Sequence, residues 1–227
     1  MRKLFSKDFF VSLEDTMISI TTQEKEIAIY CKLKNKDGLK EAASTERHYQ
    51  YMGSFTDGDK CRIRETITSK GDKSFLFTVK TKAEESDQFD SNIETSITVD
   101  EHFADVFKNS AKLHVHKNRY VFHGDAVKLS FKENDQVREI KLPDIKYEVD
   151  VFETKDRSES EWVKIDIELT TVLDFISKNH PDLDKINLTV KISHLPIEPT
   201  DAIIDFTATE ENKAFIDKLW QQVYNVK

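Results

Sequence analysis

Apolar and polar residues alternate one for one through most of this chain, and a period of two dictates strands with one apolar and one polar face. The pattern predicts strands over 26–34, 47–52, 60–66, 75–82 and 92–99 in the first half. It predicts 113–122, 126–133, 138–142, 145–152, 163–169 and 186–193 in the second. Turn-forming triplets separate several of them: Asp57-Gly58-Asp59, Lys70-Gly71-Asp72 and His123-Gly124-Asp125. Successive hairpins favour antiparallel pairing. Short helices are expected over 37–43, 101–108 and 171–178. At the C-terminal end Thr209 is a good N-cap, with Glu210 and Glu211 in the first turn. Phe215, Ile216, Leu219, Trp220 and Val223 then form one apolar stripe, expected to pack on the outside of the sheet structure. No repeat, linker or boundary divides residues 1–227, so a single domain is expected: a core over 24–169 with a helix-strand-helix extension over 170–227.

The informative feature is what lies opposite the apolar face. Arg62 and Arg64 share a face against Cys61 and Ile63. Thr78, Lys80 and Lys82 do so against Phe77 and Val79, and Lys117 and Arg119 make a third basic face. Two later strands carry the opposite sign: Glu148 with Asp150, and Asp166 with Glu168. A single charged face is what any half-solvated strand shows. Sorting by sign is different, because like charges side by side repel unless something sits between them. Clustered Arg and Lys suit phosphate oxygens, and carboxylates suit a divalent cation that phosphate oxygens also bind. Together these point to phosphate-transfer or phosphate-hydrolysis chemistry.

Composition narrows the classes further. With 15 Phe and 38% hydrophobic residues in 227, the chain can bury a core. A net charge of −8 argues against duplex nucleic acid held by surface charge. Cys31 and Cys61 are too few for a disulfide framework, and no run approaches a membrane span. Lys7 and Asp8 interrupt the first apolar run, so it does not read as a signal peptide, and a cytoplasmic location is expected. His114 and His116 alternate in one strand with no third ligand at zinc spacing, and Tyr49 and Tyr51 read as strand packing.

In order and parity, these motifs resemble the CYTH superfamily of triphosphate tunnel metalloenzymes. The resemblance runs from about Glu24 to Leu169: Arg62-Ile-Arg64, Thr78-Val-Lys80, Lys117-Asn-Arg119-Tyr120, Tyr147-Glu148-Val-Asp150-Val-Phe152 and Asp166-Ile-Glu168. It implies a mostly β (α+β) fold: an antiparallel, eight-stranded, tunnel-like β-barrel with a few peripheral helices. It implies that Arg62, Arg64, Lys80, Lys82, Lys117 and Arg119 bind phosphate. Glu148, Asp150, Asp166 and Glu168 would be catalytic, with Glu26, Asp166 and Glu168 holding Mg²⁺ or Mn²⁺. The ligand would be a triphosphate or a nucleotide. The opening strand departs from the family's Glu-x-Glu-x-Lys. Glu26-Ile-Ala28-Ile-Tyr30 lacks the second acid and the lysine, and the alternative frame, Glu24-Lys-Glu26-Ile-Ala28, still lacks the lysine. Three functions therefore stay open: a metal-dependent phosphohydrolase, a non-catalytic nucleotide or polyphosphate binder, and an interaction barrel.

Overall fold

A computed structural model describes residues 19–54, 60–82, 90–124, 127–133, 136–141, 145–168, 187–192, 196–205 and 208–226. The fold is mostly β. Strands β1 (Ser19–Leu33), β2 (Ser44–Ser54), β3 (Lys60–Thr68), β4 (Lys73–Lys82) and β5 (Asp90–Thr98) come first. Then follow β6 (Leu113–Gly124), β7 (Val127–Glu133), β8 (Gln136–Lys141), β9 (Ile145–Glu153) and β10 (Glu159–Glu168). The last three are β11 (Asn187–Ile192), β12 (Pro199–Ile204) and β13 (Asn225–Val226). Two α-helices, α1 (Glu101–Ser110) and α2 (Glu210–Val223), and a 3₁₀ turn at Asp37–Glu41 complete the described elements. The eleven predicted strands are all present. The predicted helix over 171–178 and the turn at Asp57-Gly58-Asp59 lie outside the described residues.

One sheet holds ten strands in antiparallel pairings, in the order β10-β9-β6-β2-β3-β4-β5-β1-β12, with β13 on β6. Strand β10 pairs β1 as well as β9. Strands β7, β8 and β11 form a second, three-stranded sheet. Gly71, with φ of 89°, turns the β3–β4 hairpin where a side chain would be strained.

Period-two alternation places the core on one face of the large sheet. Ile27, Ile29, Val149, Val163, Ile165 and Ile167 are buried there. Helix α1 covers Ile63, Phe77, Val79 and Ile97 with Ala104 and Phe107. Its start is fixed by Asp100, whose carboxylate accepts from the Phe103 N–H at 2.7 Å. Phe107 meets Phe77 edge-on at 5.6 Å, and burying a side chain of that size is worth roughly 2–3 kcal/mol.

Helix α2 begins where the sequence predicts, with the Thr209 hydroxyl accepting from Asn212 N–H at 3.3 Å. Its stripe does not pack on that apolar face. Ile216 and Leu219 cluster with Ala28 and Tyr30, while Val223 meets Val115 and Phe152. Those strand residues have the parity of the charged face, so α2 covers one end of that face. Trp220 donates its indole N–H to the Tyr30 hydroxyl at 3.0 Å. The reason lies in the strands: toward that end the charged face turns apolar, through Ala28, Tyr30, Phe152 and Val115, and offers an amphipathic helix a seat. Among the described residues no helix is long and apolar enough to cross a membrane.

Candidate functional site

Side chains from eight strands meet in one cavity of about 480 Å³. Register explains the convergence. Arg62 stands opposite Thr78, Lys80 opposite Glu94, Glu26 opposite Glu168, Asp166 opposite Glu148, and Asp150 opposite Arg119. Of the residues singled out in the sequence, Glu26, Arg62, Arg64, Lys80, Lys117, Arg119, Glu148, Asp166 and Glu168 line the cavity. Asp150 sits behind the wall, fully buried, and binds two of them. The Lys82 side chain lies outside the described residues.

The two acidic strands are less acidic than their motifs suggest. Lys164 shares its face with Asp166 at 2.6 Å, and Lys146 reaches Glu148 at 2.6 Å. Six carboxylates (Glu26, Glu46, Glu94, Glu148, Asp166, Glu168) and seven cations (Arg62, Arg64, Lys80, Lys117, Arg119, Lys146, Lys164) line the cavity among the described residues. The near balance means that any preference for an anion must come from local, uncompensated charge.

Most of the charge is paired. Arg119 donates Nε to Asp150 Oδ1 at 2.8 Å and Nη2 to Oδ2 at 2.9 Å, a two-point fork. Lys117 donates to the same carboxylate, and Arg119 also contacts Glu148. Burial alone would raise the Asp150 carboxyl, but Arg119 and Lys117 overcome it and hold it far below the ordinary range. Lys117 is also pushed down, to about 8, because burial and Arg119 outweigh Asp150, so the same downward direction that secures the charge on Asp150 weakens the charge on Lys117. The fork keeps Asp150 ionised, so Lys117 is the member of this group whose charge is least secure. Arg62 reaches Glu94 at 3.2 Å and Lys80 reaches Glu26 at 3.6 Å.

Arg64 is the exception. It makes no ion pair and no hydrogen bond with the described residues, and its Nε is buried without a partner. Burial, Arg62 and Arg119 together push it down to about 10, and Glu94 and Glu148 act only at longer range. Arg62 Nε and Gln50 Nε2 are likewise buried and unpaired. Three unsatisfied donors on neighbouring wall positions can donate to an acceptor-rich group.

No protein-family model matches this chain, and no curated protein matches it.

For a divalent ion the fit is poorer than for an anion. Glu26, Asp166 and Glu168 stand on paired strands, yet Lys80 engages Glu26 and Lys164 engages Asp166. Among the described residues no group of three or more His, Cys, Asp or Glu side chains is arranged to hold a metal. Burial opposes the charge on Lys164, but Asp166 and Glu26 keep it cationic, so an ammonium stands where the resemblance implies a metal. Tyr30, at the position of the missing lysine, is committed to Trp220.

Sequence reasoning missed Lys164, Glu94, Glu46, His48 and Gln50, all of which line the cavity. Each shares the parity of a residue already singled out across the ladder, and that was the available signal. His48 is 2% exposed, with Nε2 2.8 Å from Glu46 Oε2 and Nδ1 unpaired. Burial pushes its imidazole down to about 4; Glu46 opposes the shift, and Lys117, Arg119 and Arg64 add to it.

A pH dependence follows. The unfolded imidazole takes up a proton below about pH 6.5, and the folded one does so only near 4. The neutral histidine therefore contributes fully above pH 6.5, and its contribution disappears as pH falls from 6.5 to 4. The loss is at most about 3 kcal/mol over that window. Urea titrations at pH 7.5 and 4.5 should show a smaller acid loss for His48→Gln than for the native chain. Equal losses would mean that His48 is not held neutral.

Proposed function

We propose that the charged cavity binds a triphosphate-bearing anion, and that the chain is a divergent, binding-competent relative of the triphosphate tunnel metalloenzymes. The observation that carries this reading is Arg64: a cavity-lining guanidinium that pairs with no carboxylate among the described residues, flanked by Arg62 and Arg119. Guanidinium forks match the paired oxygens of phosphate, and a chain of phosphates presents such oxygens in series.

The ring of pairings supports a closed, tunnel-like barrel around the ligand. Going round, β1, β5, β4, β3, β2, β6, β9 and β10 each pair with the next, and β10 pairs with β1. Closure would leave no edge between these eight strands and would exclude bulk water from the charges inside. Charge–phosphate contacts strengthen in such a medium.

Binding without efficient turnover fits the residues best, because the opening strand offers Ala28 and Tyr30 and the acids are paired with lysines. A second reading, metal-dependent hydrolysis, is favoured by the placement of Glu26, Asp166 and Glu168 on two paired strands. A divalent ion there would supply charge neutralisation to the phosphate, after Lys80 and Lys164 release their carboxylates.

Thermal melting with tripolyphosphate, with and without Mg²⁺ or Mn²⁺, separates these readings. Ligand that binds only the folded chain stabilises by mass action, about 2.7 kcal/mol at a hundredfold excess over Kd. The expected result is a rise in melting temperature that does not require metal, with no phosphate released. Metal-dependent phosphate release that is lost in Asp166→Asn and Glu168→Gln would favour the hydrolase. An unchanged melting temperature at millimolar tripolyphosphate would reject both readings.

A further inference from the structure

Strand β6 carries a different chemistry on each face. Lys117 and Arg119 point into the charged cavity. His114 and His116 have the opposite parity and line a separate, open cavity of about 460 Å³ with Tyr51, Asp105, Lys108 and Asn109. Neither histidine lines the charged cavity.

Period two brings the two imidazoles together, since residues i and i+2 of a strand point the same way. Their ring centroids are 5.0 Å apart and their planes are tilted by 38°. Two imidazoles on one ion, with metal–nitrogen bonds of about 2.1 Å, place their centroids roughly 4.5–5.3 Å apart for angles between square and tetrahedral. The observed spacing lies inside that range. Neighbouring strands hold both rings. Register sets Tyr51 opposite His114 and Tyr49 opposite His116. Tyr51 stacks on His114 at 5.9 Å, and Tyr49 meets His116 edge-on at 4.7 Å.

The second indication is at Nδ1. Glu153 on β9 places a carboxylate oxygen 3.7 Å from His116 Nδ1. A carboxylate on that side favours the tautomer that leaves Nε2 free to bind metal, and it raises the basicity of Nε2. His114 Nδ1 is buried, so Nε2 is the available atom there too. Lys108, in the same wall, is drawn away to Glu65 at 2.6 Å, while Asp105 adds negative charge to the wall. Aromatic packing accounts for the tyrosine contacts; it does not ask for two adjacent imidazoles with a carboxylate behind one of them.

We propose that His114 and His116 bind a transition ion of the Zn²⁺, Ni²⁺ or Cu²⁺ class through their Nε2 atoms, with water in the remaining positions. Imidazole selects these ions over Mg²⁺, which takes oxygen ligands. Structural zinc centres use four protein ligands, so two make an exchangeable site. Glu153 is a positioning residue. The site lies on the outer face of β6 and stands independently of the triphosphate reading.

Calorimetric titration of the full chain with Zn²⁺ in millimolar Mg²⁺ tests this, the Mg²⁺ occupying oxygen-only sites. One ion per chain is expected, with a Kd of about 10 µM or tighter. His114→Gln and His116→Gln should each weaken binding by at least about tenfold, and Glu153→Gln by about tenfold. His102→Gln, on exposed α1, should leave the affinity unchanged. The native chain loaded with one equivalent of Cu²⁺ gives a readout that needs no variant to fold: its electron paramagnetic resonance spectrum should show coupling to two imidazole nitrogens. Absence of saturable Zn²⁺ binding, equal affinity in both histidine variants, or a Cu²⁺ spectrum with oxygen ligands alone would overturn the site. Unchanged affinity in Glu153→Gln would overturn the role given to that carboxylate.

Discussion

Asp150→Ala should lose about 3–5 kcal/mol of folding stability, a large part of the total for a domain of ordinary stability. The carboxylate is fully buried and accepts from Lys117 and, at two points, from Arg119. Removing it leaves Lys117, 8% exposed, and Arg119, 13% exposed, without their main counter-charge. An unpaired buried charge costs far more than the pair itself contributes. Asp150→Asn keeps the shape and one acceptor, so its loss should be smaller. The double variant Asp150→Ala with Lys117→Met should recover part of the deficit, since it removes one orphaned cation. Tripolyphosphate should also restore stability to Asp150→Ala, because its oxygens can replace the lost carboxylate. Urea unfolding of the four chains, with and without tripolyphosphate, reads all of this. A loss under about 1 kcal/mol for Asp150→Ala, the size of an exposed substitution, would mean that the network is not buried as described.

The strand network was legible because period two is a local signal. Arg62 with Arg64, and Asp166 with Glu168, announce their shared face without reference to anything distant, and the ladders place them in one cavity. The lysine among the acids was not legible from sign alone. Lys164 has the parity of Asp166 and Glu168, but its meaning depends on a contact with Asp166 that only packing reveals. Helix α2 was legible as an element, from its cap and stripe, while its seat was not. An apolar stripe states that a helix is buried on one side and not against what. Ala28 and Tyr30 read as departures from a charged motif; in the fold they are the platform that receives Ile216, Leu219 and Trp220. Strand β12, which pairs the far half of β1, carries too little alternation in Pro199–Ile204 to be read as a strand.

Arg64→Met should separate stability from function by moving them in opposite directions. Arg64 is a guanidinium in the cavity wall with two neighbouring arginines acting against its charge, Glu94 and Glu148 offsetting them only in part, and no ion pair among the described residues. A methionine of similar length removes that cost and keeps the packing of the aliphatic stem, so urea unfolding should show a gain of about 1 kcal/mol or more. The ligand loses what the fold gains. A guanidinium–phosphate fork is charge-assisted at two points, and its loss should weaken tripolyphosphate binding by about 100-fold, near 2.7 kcal/mol. Arg64→Lys should recover only part of this, because an ammonium cannot present the planar fork. Arg47→Met, on the opposite face of β2, is the control and should change neither quantity by much. Functional sites commonly hold groups that the fold alone would not select, and an arginine whose removal stabilised the protein would be such a group. If Arg64→Met destabilises the unliganded chain, or leaves tripolyphosphate affinity within a few-fold, Arg64 is a structural residue and the cavity is not built around an anion.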